Sequence, residues 1–146
     1  MRFMLLLKAD KHTEAGVMPT QQLLDDMGKY NEEMEKAGVL RDANGLQASS
    51  KGARVKFSGK KRTVTDGPFK KAKQLISGYW LIEVPSKDEA IEWVKRCPNP
   101  HSGDAEIEIR QVFEASDFAD AGTSADTEAV RTEPEARTKT KKRKKA

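Results

Sequence analysis

The chain has 146 residues, of which 34% are charged and 36% belong to the AVILMFWYC set, and its formal net charge is +4. One cysteine excludes a disulfide scaffold, and the longest apolar run, Phe3–Leu7, is far shorter than the ~20 residues of a membrane-spanning helix. Residues 1–118 hold 19 basic and 18 acidic residues, and this near-neutrality weakens the case for nucleic-acid binding by the folded part. No signal-peptide pattern opens the chain, so we expect a cytoplasmic protein without a membrane partner.

The first half of the chain predicts a strand, a helix and a hairpin. Residues 2–8 are apolar on both alternating faces, which is typical of an interior strand covered on two sides. After a polar loop, apolar residues at steps of three and four predict a helix with Thr20 as its N-cap and Gly38 at its end. Two alternating segments around Ser58-Gly59-Lys60 predict a β-hairpin. The string Asp66-Gly67-Pro68-Phe69 then predicts a rigid turn.

The second half predicts a strand, a helix and a further strand. Gly78–Val84 predicts the strand, Ser86 the N-cap of the helix, and the strictly alternating segment Ala105–Glu114 the last strand. Together the elements predict an α+β domain over residues 1–118: a ferredoxin-like antiparallel sheet with two helices on one face and an inserted hairpin. Residues 119–146 carry no apolar side chain larger than valine, so we predict a disordered basic C-terminal tail.

Side chains alternate across a strand, so the predicted strands can be sorted into two sheet faces. The face that is entirely apolar must pack on the helices. The other face is apolar at its centre and charged at its ends; it carries Met4, Leu6, Lys8, Tyr79, Leu81, Glu83, Glu106, Glu108 and Arg110. Such a face favours sheet-to-sheet homodimerisation with a semi-polar cavity between the subunits. The alternative is a solvated face with ordinary cross-strand ion pairs.

Few residues offer chemistry by themselves. His12 and His101 lie in predicted loops without partners at metal-ligand spacing, so we expect no metal site, and no cofactor-binding motif occurs. His12 near Asp10 could form a His–carboxylate pair for acid/base work, and the alternative is an exposed histidine. Asp66 is the candidate catalytic base because a rigid turn places it at a strand end, and the alternative is that it caps its own turn. Cys97 lies on the apolar side of the second helix, which indicates packing.

Several strings, in order along the chain, resemble the YCII-related proteins of the DGPF type. They are MRFMLLLKAD, KYNEEMEKAGVL, VTDGPF, the GYW strand, AIEWVKRCPNP and EIEIRQVFE. The resemblance covers about residues 1–118 and implies a dimeric α/β barrel, in agreement with the analysis of the strand faces. It implies a small organic ligand, because the wider superfamily includes muconolactone isomerase-like enzymes, a dehydrochlorinase and small monooxygenases. It implies no particular reaction.

The chain departs from this pattern where relatives commonly carry titratable groups. Those relatives have Glu, His and Glu where this chain has Asn44, Gln47 and Lys71. The His–Asp pair proposed as an active site in YCII-type proteins has no counterpart that the sequence identifies. The departures remove the side chains best suited to acid/base work and leave Asp66 as the remaining candidate.

Two hypotheses of function follow. In the first, the chain binds a small organic molecule, aromatic or anionic, between two sheets, with Lys8, Tyr79 and Arg110 as ligand-binding residues. An enzyme of the isomerase or lyase kind would then use Asp66 as its base. In the second, the chain is a non-enzymatic dimeric binding or regulatory module. In either case the six cations of residues 139–145 could contact nucleic acid or an acidic partner weakly and without sequence preference, the alternative being a solubilising tail.

Overall fold

The computed structural model describes residues 1–121, which form a four-stranded antiparallel sheet and a separate two-stranded hairpin. The strands and α-helices are β1 (Arg2–Lys8), α1 (Lys11–Glu14), α2 (Gln21–Lys36), β2 (Leu40–Gly45), β3 (Ala53–Ser58), β4 (Lys61–Asp66), β5 (Ile76–Glu83), α3 (Lys87–Lys95) and β6 (Ile107–Gln111). Short 3₁₀ turns span Ser49–Lys51, Ala72–Gln74 and Ala115–Ala121. The predicted tail lies outside the described residues from residue 122 onward.

The four-stranded sheet has the order β2-β5-β1-β6, with every neighbouring pair antiparallel. The α+β prediction is therefore confirmed, and the interleaving of the two strand–helix–strand units is that of a ferredoxin-like sheet. Strand β1 lies between β5 and β6, as its apolar composition on both faces predicts. In this register Leu5 lies between Trp80 and Ile109.

The core lies between one face of this sheet and the helices. Its buried members are Phe3, Leu5, Leu7, Tyr30, Met34, Trp80, Ile82, Val84 and Ala90. These are the alternate side chains of β1 and β5 together with the inner sides of α2 and α3, so the sorting of the strand faces is confirmed for these strands. Two polar groups within the core are satisfied: the Tyr30 hydroxyl donates to the Trp93 carbonyl (2.7 Å), and the Trp80 indole N–H donates to Asn31 Oδ1 (2.8 Å).

The inserted hairpin, β3 and β4, pairs only with itself, and every residue from Ala53 to Asp66 is exposed. Its base is closed by the predicted rigid turn, where the Gly67 amide donates to the Gly52 carbonyl at 3.0 Å. Gly67 is required there, because a Cβ at this position would collide with the carbonyl oxygen of Ser49.

Two local predictions are wrong. The polar loop after β1 contains the short helix α1, held by reciprocal hydrogen bonds between Asp10 and Thr13, so His12 lies in a helix rather than a loop. At the other end, alternation along the predicted strand Ala105–Glu114 assigns Phe113 to the core-facing side with Ile107 and Ile109. Strand β6 ends before it, and Phe113 is 64% exposed with its ring 4.9 Å from that of Phe118.

Candidate functional site

The sheet face opposite the helices, called here the open face, has a partly exposed apolar centre formed by Met4, Leu6 and Leu81. The pairing register places two rows of side chains across it. One row runs Asp42, Leu81, Met4 and Arg110, and the next runs Asn44, Tyr79, Leu6 and Glu108. Each row has polar groups at both ends, and its apolar members, Leu81 and Met4 in the first row and Leu6 in the second, lie between them. The open face therefore presents an apolar strip between two polar edges.

The polar edge along β6 is an ion cluster of Lys8, Glu108 and Arg110. Lys8 Nζ lies 3.4 Å from Glu108 Oε1, and Arg110 Nη1 donates to Glu108 Oε2 at 3.2 Å. The hydrogen bond from Arg110, followed by the contact with Lys8, lowers the pKa of Glu108. Two cations thus share one carboxylate, which leaves one positive charge in excess. The Arg110 side chain is 70% exposed and the Lys8 side chain only 19%.

The polar edge along β2 is a hydrogen-bonded cluster of Asp42, Asn44 and Tyr79. The Tyr79 hydroxyl donates to Asp42 Oδ2 at 2.9 Å, and Asn44 Nδ2 lies 3.0 Å from the same hydroxyl and 3.3 Å from Asp42 Oδ1. Asp42 Oδ1 also accepts the Ala43 amide at 2.9 Å. Asn44, where the resemblance to the DGPF-type proteins implies a Glu, contributes an amide donor instead of a second carboxylate. Tyr79 was a predicted site residue, whereas Asp42 was missed.

Asp66 does not lie with the other three predicted site residues. It is the last residue of β4, opposite Ala53 in the hairpin, and it is exposed. Lys8, Tyr79 and Arg110 all lie on the four-stranded sheet. Within residues 1–121 no hydrogen bond or ion pair joins Asp66 to them. A catalytic role for Asp66 therefore requires the hairpin turn to approach the open face of its own or a second subunit.

Hydrogen bonds through Ser49 connect the turn after Asp66 to α1. Glu14 accepts the Ser49 amide at 3.0 Å and the Ser49 hydroxyl, which in turn accepts the Phe69 amide at 2.9 Å. The Arg54 guanidinium stacks 3.9 Å from the centre of the Phe69 ring. These contacts hold the segments on both sides of the hairpin against α1.

The chain does contain a His–Asp pair, formed by His101 and not by His12. His101 Nδ1 lies 3.4 Å from Asp10 Oδ2, and its Nε2 lies 2.8 Å from the carbonyl oxygen of Lys8. The His101 side chain is only 4% exposed, while His12 is exposed on α1. Asp10 therefore contacts His101 in place of the predicted His12.

The surroundings of Asp10 favour its carboxylate. Burial pushes its pKa upward, but the Thr13 amide hydrogen bond and the charge of His101 outweigh burial, and the net pKa lies below the usual value. Only the pairing of β6 with β1 could have predicted the contact between His101 and Asp10. Because β6 runs antiparallel to β1, the loop before β6 lies at the end of β1, next to Asp10.

The remaining features considered in the sequence add no further candidate site within the described residues. Burial raises the pKa of the Cys97 thiol to about 11, and the sulfur lies 3.3 Å from the Pro98 carbonyl oxygen beside the core. No three His, Cys, Asp or Glu side chains in the described part of the chain are grouped to hold a metal ion. Among the helices of residues 1–121, none combines the length and apolar character needed to cross a membrane. The cations of residues 139–145 lie outside the described residues.

Comparison with known proteins agrees with the resemblance seen in the sequence. A family model described as the YCII-related domain matches residues 1–116. An uncharacterized protein of Rhizobium meliloti (strain 1021) is 26% identical over 90 residues, which cover 62% of this chain and 73% of that protein. The family match spans both strand–helix–strand units, the hairpin and both edges of the open face. The chain belongs to the YCII-related domain family.

Proposed function

We propose that this protein is a cytoplasmic homodimer that binds a small organic anion between the open faces of two sheets. The observation that carries the proposal is the partly exposed apolar strip of Met4, Leu6 and Leu81 between two ordered polar edges. Sites for small molecules are mostly apolar and contain a few fixed polar groups that orient the ligand. A second copy of the same face would enclose such a site and cover the strip.

In this proposal Arg110 binds the anionic group of the ligand. Its guanidinium has donors to spare after its contact with Glu108 and is the more exposed cation of the ion cluster. Lys8 supports it by neutralising the same Glu108 carboxylate. The Tyr79 hydroxyl already donates to Asp42, so towards a ligand it offers its ring and an acceptor oxygen.

An enzyme of the isomerase or lyase kind would need a proton acceptor at this face, and Asp66 is the proposed base. The second candidate function is a non-enzymatic dimeric binding or regulatory module. It is supported by Asn44, which places a neutral amide in the β2 edge, and by the position of Asp66 on a separate sheet. Turnover of a bound ligand distinguishes the two functions.

Ligand binding is tested by thermal unfolding with a panel of aromatic and aliphatic carboxylic acids. An acid present at 100 times its Kd stabilises the native state by about 2.7 kcal/mol, which raises Tm measurably. We expect Arg110→Ala to remove this rise, while Lys87→Ala, an exposed lysine at the start of α3, keeps it. The proposal fails if no acid raises Tm, or if Arg110→Ala retains the full rise.

The interface is tested separately. Leu6→Asp places a charge in the apolar strip. Burying this unpaired carboxylate against a second copy would cost on the order of several kcal/mol. We expect a monomer or an aggregate by light scattering, while Leu46→Asp, at a leucine that is 48% exposed outside the strip, remains a dimer. A folded Leu6→Asp dimer would exclude the open face as the interface.

A further inference from the structure

The near-neutral net charge of the folded part conceals a strong separation of charge along the chain. Residues 51–73, which contain the hairpin and the turn after it, hold nine cations and one acid, Asp66. The cations are Lys51, Arg54, Lys56, Lys60, Lys61, Arg62, Lys70, Lys71 and Lys73. The rest of residues 1–118 holds 10 basic and 17 acidic residues. The hairpin segment therefore has a formal charge of +8, and the remainder a formal charge of −7.

The hairpin also leaves an apolar face uncovered. Val55 and Val64 are paired across the two strands, and Phe57 is paired with Arg62, so these four side chains share one face. Val55, Phe57 and Val64 are 52%, 69% and 64% exposed. The Arg62 guanidinium lies 4.3 Å from the centre of the Phe57 ring. A two-stranded ribbon is marginally stable alone, so a partner that covers this face would stabilise it.

We propose that this hairpin is an arm that docks on the acidic surface of a second copy of the chain. Its apolar face supplies the buried contact, and the cations at its tip, Lys60 and Lys61, provide attraction to the acids of the partner. Four exposed acids lie on α2, at Asp25, Glu32, Glu33 and Glu35. Contact between the +8 segment of one copy and the −7 remainder of another brings opposite charges together in both directions.

The same charge separation argues against nucleic acid as the partner of the hairpin. A polyanion that approaches the hairpin also meets the field of the acidic remainder, which repels it. A second copy can orient its acidic remainder toward the hairpin and its own hairpin toward the acidic remainder of the first copy. The inference rests on the homodimer of the proposed function, to which it adds a second contact, and the following experiment separates the two.

The test is sedimentation equilibrium of the full chain at several salt concentrations. Phe57→Ser removes the largest exposed apolar side chain of the hairpin, and Lys60→Glu with Lys61→Glu reverses the charge of its tip. The matched control is Lys11→Glu with Lys87→Glu, which changes the net charge equally at exposed positions on α1 and α3, outside the acidic helix α2. Circular dichroism checks that each variant is folded.

We expect both hairpin variants to weaken self-association by about tenfold, the effect of losing a central aromatic contact or of several rim charges. We also expect wild-type self-association to weaken as salt rises, and the charge-reversed tip to lose most of that dependence. The control should leave the dissociation constant within about twofold. An unchanged constant in both hairpin variants overturns the inference. So does self-association that strengthens with salt, because hairpin-to-hairpin contact between like charges would behave in that way.

Two further measurements separate this inference from its competitors. If Phe57→Ser lowers affinity only for a short single-stranded RNA and leaves self-association intact, the hairpin is a nucleic-acid surface and the inference is wrong. Leu6→Asp examines the open face independently. A dimer that survives Leu6→Asp but weakens with the hairpin variants supports the arm and refutes the sheet interface. The opposite pattern supports the sheet interface and refutes the arm.

Discussion

Replacing His101 by alanine tests whether the His101–Asp10 pair stabilises the packing of the loop before β6 against the end of β1. The substitution removes the 2.8 Å contact of Nε2 with the Lys8 carbonyl and the 3.4 Å contact of Nδ1 with Asp10. The hydrogen bond contributes about 1 kcal/mol, the contact with the Asp10 carboxylate, which is an ion pair when the imidazole is protonated, about 1 kcal/mol, and packing of the 4% exposed ring about 1 kcal/mol more. We expect the free energy of unfolding in urea to fall by about 3 kcal/mol.

A double-mutant cycle with Asp10→Asn isolates the pair itself. Asparagine keeps the acceptor oxygen that caps α1 at Thr13 and removes only the charge. We expect a coupling of about 1 kcal/mol between the two positions. Additive effects within about 0.3 kcal/mol would refute the reasoning, because they would show that the two side chains do not interact.

The pH dependence gives an independent check on Asp10. Its pKa is lowered in the folded state, so its contribution is complete above the unfolded pKa and is lost as pH falls through the folded pKa. The difference in unfolding free energy between wild type and Asp10→Asn should therefore shrink as pH falls below about pH 4. A difference that stays constant to lower pH would contradict the assignment.

Three further outcomes are expected. Gly67→Ala should lower the unfolding free energy by about 1–3 kcal/mol, because the new Cβ would collide with the Ser49 carbonyl oxygen; urea denaturation checks this, and an unchanged stability would contradict the close approach. Tyr30→Phe should cost about 1 kcal/mol, because it removes the hydroxyl hydrogen bond to the Trp93 carbonyl, which keeps the Arg96 amide as a second donor; a neutral result would show that the hydroxyl contributes no net stability. For any ligand that is turned over, Asp66→Asn should abolish turnover and keep binding, as followed by product formation beside the Tm shift, and retained turnover would remove Asp66 as the base.

The elements and faces of the sheet follow closely from the sequence. Alternation along β1 and β5 depends only on adjacent residues, and it suffices to predict which side chains are buried. The side chains concerned, Phe3, Leu5, Trp80 and Ile82, all lie in the core as expected. The ends of helix α2 also follow from local sequence. The helix begins after the Thr20 N-cap and is followed by Gly38, whose φ is 75°. Helix α1 was missed because its four residues are too short for an apolar period, although Asp10 and Thr13 form a recognisable cap.

The polar clusters were harder to predict because their members are distant in sequence. His101 and Asp10 are brought together only by the pairing of β1 with β6, and Asp42 meets Tyr79 only through the pairing of β2 with β5. Alternation assigns Tyr79 to the open face, but it does not identify what lies beside it. The position of Asp66 depends on the direction of a hairpin that hydrogen-bonds to no other strand in the described residues.

The β2 edge explains how the departure at Asn44 affects the chemistry of the open face. A glutamate at this position would stand beside Asp42, and two neighbouring carboxylates oppose each other's ionisation, which is how a carboxyl group acquires a raised pKa suited to proton transfer. Asn44 instead donates toward both Asp42 and the Tyr79 hydroxyl. In the β2 edge, amide and hydroxyl donors thereby surround one carboxylate, while the excess positive charge of the ion cluster lies at Arg110 on the opposite edge. Within the proposed function, this arrangement suits orienting an anion better than moving a proton.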